Sequence, residues 1–159
     1  MGRPDGRDGG TAAARHLHEL DRDEALRLLG TVSLGRIVFT RHALPAVRPV
    51  HHLVEGEDVI IRMHDGGALA ALVAPADDHA VVVAYEADAI DPETHLGWSV
   101  VVTGYASAVA DSGDVNRYET LLRPWTGHRM TSALRIRSDL VTGFRLEAGP
   151  RRSGPAVGA

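Results

Sequence analysis

Apolar and polar positions alternate along most of this chain, and helical spacing interrupts the alternation at three places. Asp21-Arg-Asp-Glu24 has the form of a capping box, with Ala25, Leu26, Leu28 and Leu29 following at near-helical spacing and Gly30 as a stop in the left-handed conformation, which predicts a helix over 22–29. Leu34-Gly-Arg-Ile-Val-Phe-Thr40 is rich in β-branched and aromatic residues and predicts a strand. His42 to Pro45 reads as a turn, and strands follow at 46–54 and 58–64, joined at Glu55-Gly56-Glu57. Ala68 to Ala74 predicts a short helix ended by Pro75. His79 to Glu86 reads as a largely buried strand, and Trp98 to Val109 as a long one in which Gly104 marks a bulge or bend. Val115 to Leu122 is helical, and strands at 134–138 and 140–146 complete the pattern. Six to seven strands with short turns and a few short helices predict a mainly β fold. The expected architecture is a closed, mostly antiparallel barrel rather than a βαβ fold.

Composition narrows the class. The chain has 159 residues, which suits one domain. Met1 to Arg15 and the Gly/Pro/Arg-rich end read as disordered tails, which leaves a folded unit over 16–147 and a tail over 148–159. A formal net charge of −4 argues against a nucleic-acid partner. No apolar run is long enough to cross a bilayer, and the amino terminus lacks the apolar centre of a signal peptide, so no membrane partner and a cytoplasmic location are expected. There is no cysteine, which excludes disulfides and thiolate metal sites. The 17 basic residues are all arginine, so any anion site must use Arg, His or backbone N–H groups.

The candidate chemistry concentrates at Pro45-Ala-Val-Arg48-Pro49-Val50-His51-His52 and Ile61-Arg62-Met63-His64-Asp65-Gly66-Gly67-Ala68. Arg48 and Arg62 would lie on neighbouring strands beside backbone opened by Gly66 and Gly67, which is a cradle for a phosphate. Pro49 lacks an N–H, so its stretch of strand is an edge or a break in pairing, and unpaired backbone there can face a ring system. Each residue also has a plainer explanation. Arg48 could be a solvated barrel arginine, and Arg62 could pair with Asp65. His51 and His52, as strand neighbours, point to opposite faces and cannot both line one cleft. His16-Leu-His18 puts two imidazoles on one side, but no third ligand is evident and no metal site is expected. Arg135 and Arg137 read as a solvated barrel exterior. No nucleophile–His–acid arrangement, P-loop or dinucleotide fingerprint is present, so no catalytic residue is assigned.

The order of these motifs resembles the pyridoxamine 5′-phosphate oxidase-like family of flavin-binding split barrels. The resemblance rests on Leu34-Gly-Arg-Ile-Val-Phe, Pro45-Ala-Val-Arg-Pro-Val, Val59-Ile-Ile-Arg62, Gly97-Trp-Ser-Val-Val-Val-Thr-Gly104, Pro124-Trp125 and Val141-Thr-Gly143, and covers about residues 18 to 147. It implies a split β-barrel homodimer holding FMN in clefts between subunits, with an oxidoreductase activity on a small molecule that the motifs do not specify. In such proteins the cofactor lies along the strand matched here by Arg48, Pro49, Val50 and His51. Its phosphate is held at the positions of Arg62 and of the turn from Met63 through Gly66, Gly67 and Ala68. Trp98 and Trp125 match cleft-lining positions, with core or dimer packing as the alternative. The family commonly places Ser or Thr and then Lys where this chain has Gly67 and Ala68. Backbone N–H groups would have to replace that hydroxyl and cation. Two alternatives therefore stand beside FMN: a deazaflavin-dependent reductase, and a degenerate barrel without flavin that binds haem or another small molecule.

Overall fold

The computed structural model describes residues 15–63, 67, 69, 71, 80–122 and 132–149. Among them are eight strands: β1 (Arg15–Glu19), β2 (Leu34–Arg41), β3 (Leu44–Glu55), β4 (Asp58–Met63), β5 (Val81–Ile90), β6 (Gly97–Ala108), β7 (Ser132–Ile136) and β8 (Leu140–Ala148). Two helices accompany them, α1 (Arg22–Leu29) and α2 (Ser112–Leu121). The expected mainly β architecture is observed, with one strand more than the alternation predicted. That strand is β1, whose residues are all exposed, so no burial pattern marks it in the sequence. The helix expected over 68–74 falls mostly outside the described residues.

All pairings are antiparallel. The order β1-β8-β6-β5-β2-β3-β4-β7 closes on itself because β7 also pairs with β6. Six strands therefore form a barrel, and β8 and β1 extend from it as a flap. The branch lies on β6. One edge of this strand pairs with β8 through residues 97–103 and with β7 through residues 106–108. Gly104 sits between the two, where an added Cβ would fall 1.7 Å from the Arg137 carbonyl oxygen. The glycine expected to mark a bend thus permits a close backbone crossing at the split.

Asp21 caps α1 as expected, accepting from the Glu24 amide at 2.8 Å, whereas Gly30 ends the helix with a right-handed φ of −69° rather than the expected left-handed one, because its amide still donates to the Leu26 carbonyl. Ala25, Leu26, Leu28 and Leu29 are buried and join the barrel interior, where Ile37, Phe39, Ile61, Tyr85, Val100, Val102, Leu134 and Ile136 pack. The β2–β3 turn is shorter than expected. His42 and Ala43 alone connect the strands, both with positive φ (50° and 62°), the form of a type I′ hairpin. A second, smaller cluster lies outside the barrel, where Tyr118 and Leu122 of the α2 region cover Ile60 and Ala133 of β4 and β7.

Candidate functional site

β3 changes partners along its length. Residues 44–51 pair with β2 and residues 52–55 with β4. Among the described residues, nothing pairs with the other edge of 44–51. The His52 amide donates to the Ser33 carbonyl of the β2 side at 3.0 Å. By the two-residue repeat, the amides of Ala46, Arg48 and Val50 also face β2, while those of Val47 and His51 face the open edge. Pro45 and Pro49 fall in the open-edge phase, so their missing N–H groups subtract nothing from the β2 ladder. The Val47 carbonyl lies on that edge too, and the Arg48 guanidinium folds back to donate to it at 2.8 Å.

Side-chain alternation divides the expected site residues between two faces. Val47, Pro49 and His51 point outward from the barrel. Arg48 and Val50 take the inward phase; Val50 packs against the core, whereas Arg48 is exposed near the rim. On β4, Met63 is buried in the core and Arg62 faces outward. Continuing the β3–β4 register places His51 opposite Arg62. These two come together on one outer face, and Arg48 and Val50 do not join them.

Arg62 is only 6% exposed. Its Nη1 donates to the Leu122 carbonyl at 2.8 Å, so the cation caps the C-terminus of α2. Burial lowers its pKa and the nearby Glu119 opposes this. The His51 pKa is lowered by burial and by Arg62, while the Ser33 backbone opposes the shift. His51 is therefore a neutral imidazole beside a fixed guanidinium at neutral pH.

His52 occupies the opposite, inner face, as strand geometry required, and is 2% exposed. Its Nε2 lies 2.9 Å from the Leu29 carbonyl and its Nδ1 2.6 Å from the Tyr85 hydroxyl. Trp98 is 9% exposed and packs in the main core, with Ala89 and Arg145 as cross-strand partners. That is a packing position, apart from the His51–Arg62 face. Gly67 is partly buried; Gly66, Ala68, Asp65 and Trp125 lie outside the described residues.

Arg135 departs from the expected solvated exterior. It donates to Asp58 at 3.1 Å, to Glu55 at 3.3 Å and to the Tyr118 hydroxyl at 2.8 Å. Glu55 also accepts from Arg117 and Tyr118. This network ties α2 to β3, β4 and β7 beside Arg62. Sequence spacing gave no sign of it, because its members are distant along the chain. Arg137 does lie on the exterior, paired with Asp139 at 2.7 Å. Among the described residues, no group of three or more His, Cys, Asp or Glu is placed to hold a metal. No described helix is long and apolar enough to cross a membrane.

Elsewhere on the outer face the charged cluster of Arg36, Glu86 and Asp88 lies among exposed apolar side chains. Leu17, Val82, Tyr105, Leu140 and Phe144 are exposed on this face. A groove of about 410 Å³ runs between β1, β8 and β6, lined by Leu17, Leu20, Val101 and Phe144 among others.

Comparison with known proteins places this architecture. A family model described as pyridoxamine 5′-phosphate oxidase matches residues 21–150. The uncharacterized Mycobacterium tuberculosis protein Rv0080 is 49% identical over 148 residues, spanning 93% of this chain and 97% of that protein. A Corynebacterium glutamicum structure, assigned provisionally to pyridoxamine 5′-phosphate oxidase, is 30% identical with a TM-score of 0.69, covering 84% of this chain and 96% of that one. The structure of an FAD binding protein from Mycobacterium smegmatis is 28% identical with a TM-score of 0.61, covering 82% and 98%.

Proposed function

This chain belongs to the pyridoxamine 5′-phosphate oxidase family, and from that premise we propose that it is a flavin-binding oxidoreductase with FMN as its cofactor. The observation that carries the reading is the open backbone edge of β3 beside His51 and Arg62. An isoalloxazine ring presents hydrogen-bond donors and acceptors along its pyrimidine edge, and the neighbouring Pro49 carbonyl and His51 amide on the open strand edge offer an acceptor and a donor to it. The residues present therefore fit the ring. A bound flavin supplies the electron transfer.

The chain's own groups supply position and charge. Arg62 would bring positive charge to the phosphate end while its Nη1 keeps the end of α2 in place. The neutral His51 ring can accept a proton at the cofactor edge, and it becomes a better acceptor once an anion offsets Arg62. The apolar side chains exposed around the β1–β8–β6 groove support a homodimer, since they would otherwise remain hydrated. A cytoplasmic location completes the proposal. The likeness to the Mycobacterium smegmatis protein supports a second reading with FAD as the flavin.

The test is an absorbance spectrum after separate additions of FMN and FAD, each followed by desalting. Retained flavin bands support the reading, and the better retained nucleotide identifies the cofactor. Release of both overturns it and directs titration to a deazaflavin and to haem.

A further inference from the structure

We propose that His52, held as its Nε2–H tautomer, is a positioning residue that clamps the α1–β2 loop to the strand presenting the candidate cofactor edge. The Leu29 carbonyl can only accept, so the nitrogen 2.9 Å from it carries the hydrogen. Nδ1 is then a lone pair, and the Tyr85 hydroxyl at 2.6 Å donates to it. Leu29 is the last residue of α1, where helix carbonyls lack intrahelical partners. The His52 amide donates to the Ser33 carbonyl at 3.0 Å. One residue thus grips the loop of residues 30–33 at both ends, through its side chain and its backbone. The residue that precedes His52 on β3 is His51.

The fold makes space for this chain of bonds. Tyr85 is fully buried, and its hydroxyl passes Gly35, where an added Cβ would lie 2.3 Å from the hydroxyl oxygen. Protonation of Nδ1 would turn an acceptor into a donor toward Tyr85. The hydroxyl would then have to rotate, with the Val50 carbonyl at 3.5 Å as its distant alternative acceptor. Among the described residues, the titratable groups against His52 are Tyr85 from β5 and His51 from its own strand. α1 presents the Leu29 carbonyl, β2 presents Gly35 and β4 presents Ile61. Burial lowers the His52 pKa, consistent with a ring that stays neutral where an ordinary histidine titrates.

The test uses the full-length chain. Nitrogen-15 spectra of the imidazoles should show an Nε2–H tautomer for His52 and a titration displaced below that of an ordinary histidine. An Nδ1–H tautomer, or titration near the ordinary histidine value, overturns the proposal without any variant. His52→Phe should raise hydrogen exchange at Thr31, Val32 and Ser33 and weaken FMN binding, each by about tenfold. His52→Gln, whose amide can still donate to Leu29, should restore slow exchange. If His52→Phe does not fold, Tyr85→Phe removes only the donor to Nδ1 and should permit titration of His52. Unchanged loop exchange and unchanged FMN affinity in the folded variants overturn the clamp. The FMN arm rests on the flavin reading. If the wild-type protein releases FMN, that reading fails, while the tautomer and the loop exchange still decide the role of His52.

Discussion

Replacing Gly104 with alanine should open the barrel at its branch point. The new Cβ would fall 1.7 Å from the Arg137 oxygen and 2.9 Å from its carbonyl carbon. An ordinary carbon–oxygen contact needs about 3.3 Å, so the two backbones must separate by about 1.6 Å. Both partners are main chain, and no rotamer can relieve the overlap. Separation would break the bond from the Arg137 amide to the Tyr105 carbonyl, now 2.9 Å, and would strain the nearby β6–β7 pairs. Overpacking costs about 1–3 kcal/mol and a lost hydrogen bond about 0.5–1.5 kcal/mol. A total of about 3 kcal/mol is a large fraction of the stability of roughly 5–15 kcal/mol expected for a domain. Urea unfolding monitored by tryptophan fluorescence should show the midpoint falling by about 1.5 M, taking a slope of about 2 kcal/mol/M. Gly30→Ala is the control, since its Cβ would meet nothing closer than 3.4 Å and Gly30 has ordinary right-handed φ. A Gly104→Ala midpoint within about 0.3 M of wild type would refute the crossing as the reason for this glycine.

Other changes probe the remaining parts of the molecule. Bonds from Arg117, Tyr118 and Arg135 hold the Glu55 carboxyl at about 2, below its ordinary 4.5. The unfolded chain therefore binds the extra proton first, and stability should decline as pH falls from about 4.5 toward about 2. Glu55→Gln should flatten that acid limb in a pH series of thermal unfolding; an unchanged limb would remove Glu55 as its cause. Arg62→Ala should destabilise the flavin-free protein by about 2 kcal/mol through loss of the Leu122 bond. If Arg62 also holds the phosphate, FMN titration should weaken at least about tenfold, and an unchanged dissociation constant would leave it only the helix-capping role. Ala43→Gly should raise stability by about 0.5–1 kcal/mol because alanine there holds a φ of 62°; no gain in the urea midpoint would contradict strain at this turn. Phe144→Glu should shift the protein to monomer in sedimentation if the outer face is the dimer surface, whereas an unaltered assembly would place the interface elsewhere.

Most of the fold was legible in the sequence because strands and helices write their burial into local spacing. The α1 cap at Asp21, the stop at Gly30 and the strands carrying Ile37, Ile61, Val100 and Val102 follow from residues within a few positions of one another. Pro49 likewise announced an open edge, since a residue without an N–H cannot sit in the donor phase of a ladder, whereas Pro45, read as part of a turn, proved to share that phase inside β3. The opposite directions of His51 and His52 follow from the two-residue repeat of any strand. Tertiary structure decided what those residues meet. Arg62 ends on the Leu122 carbonyl, 60 positions away, and Arg135 on Asp58, 77 positions away. His52 bridges α1 and β5, and Trp98 turns into the core. Such partners depend on which strands become neighbours when the barrel closes, and closure depends on apolar burial summed over all the strands. Local spacing selects the elements and the faces they present, whereas long-range packing selects the groups that complete each polar side chain.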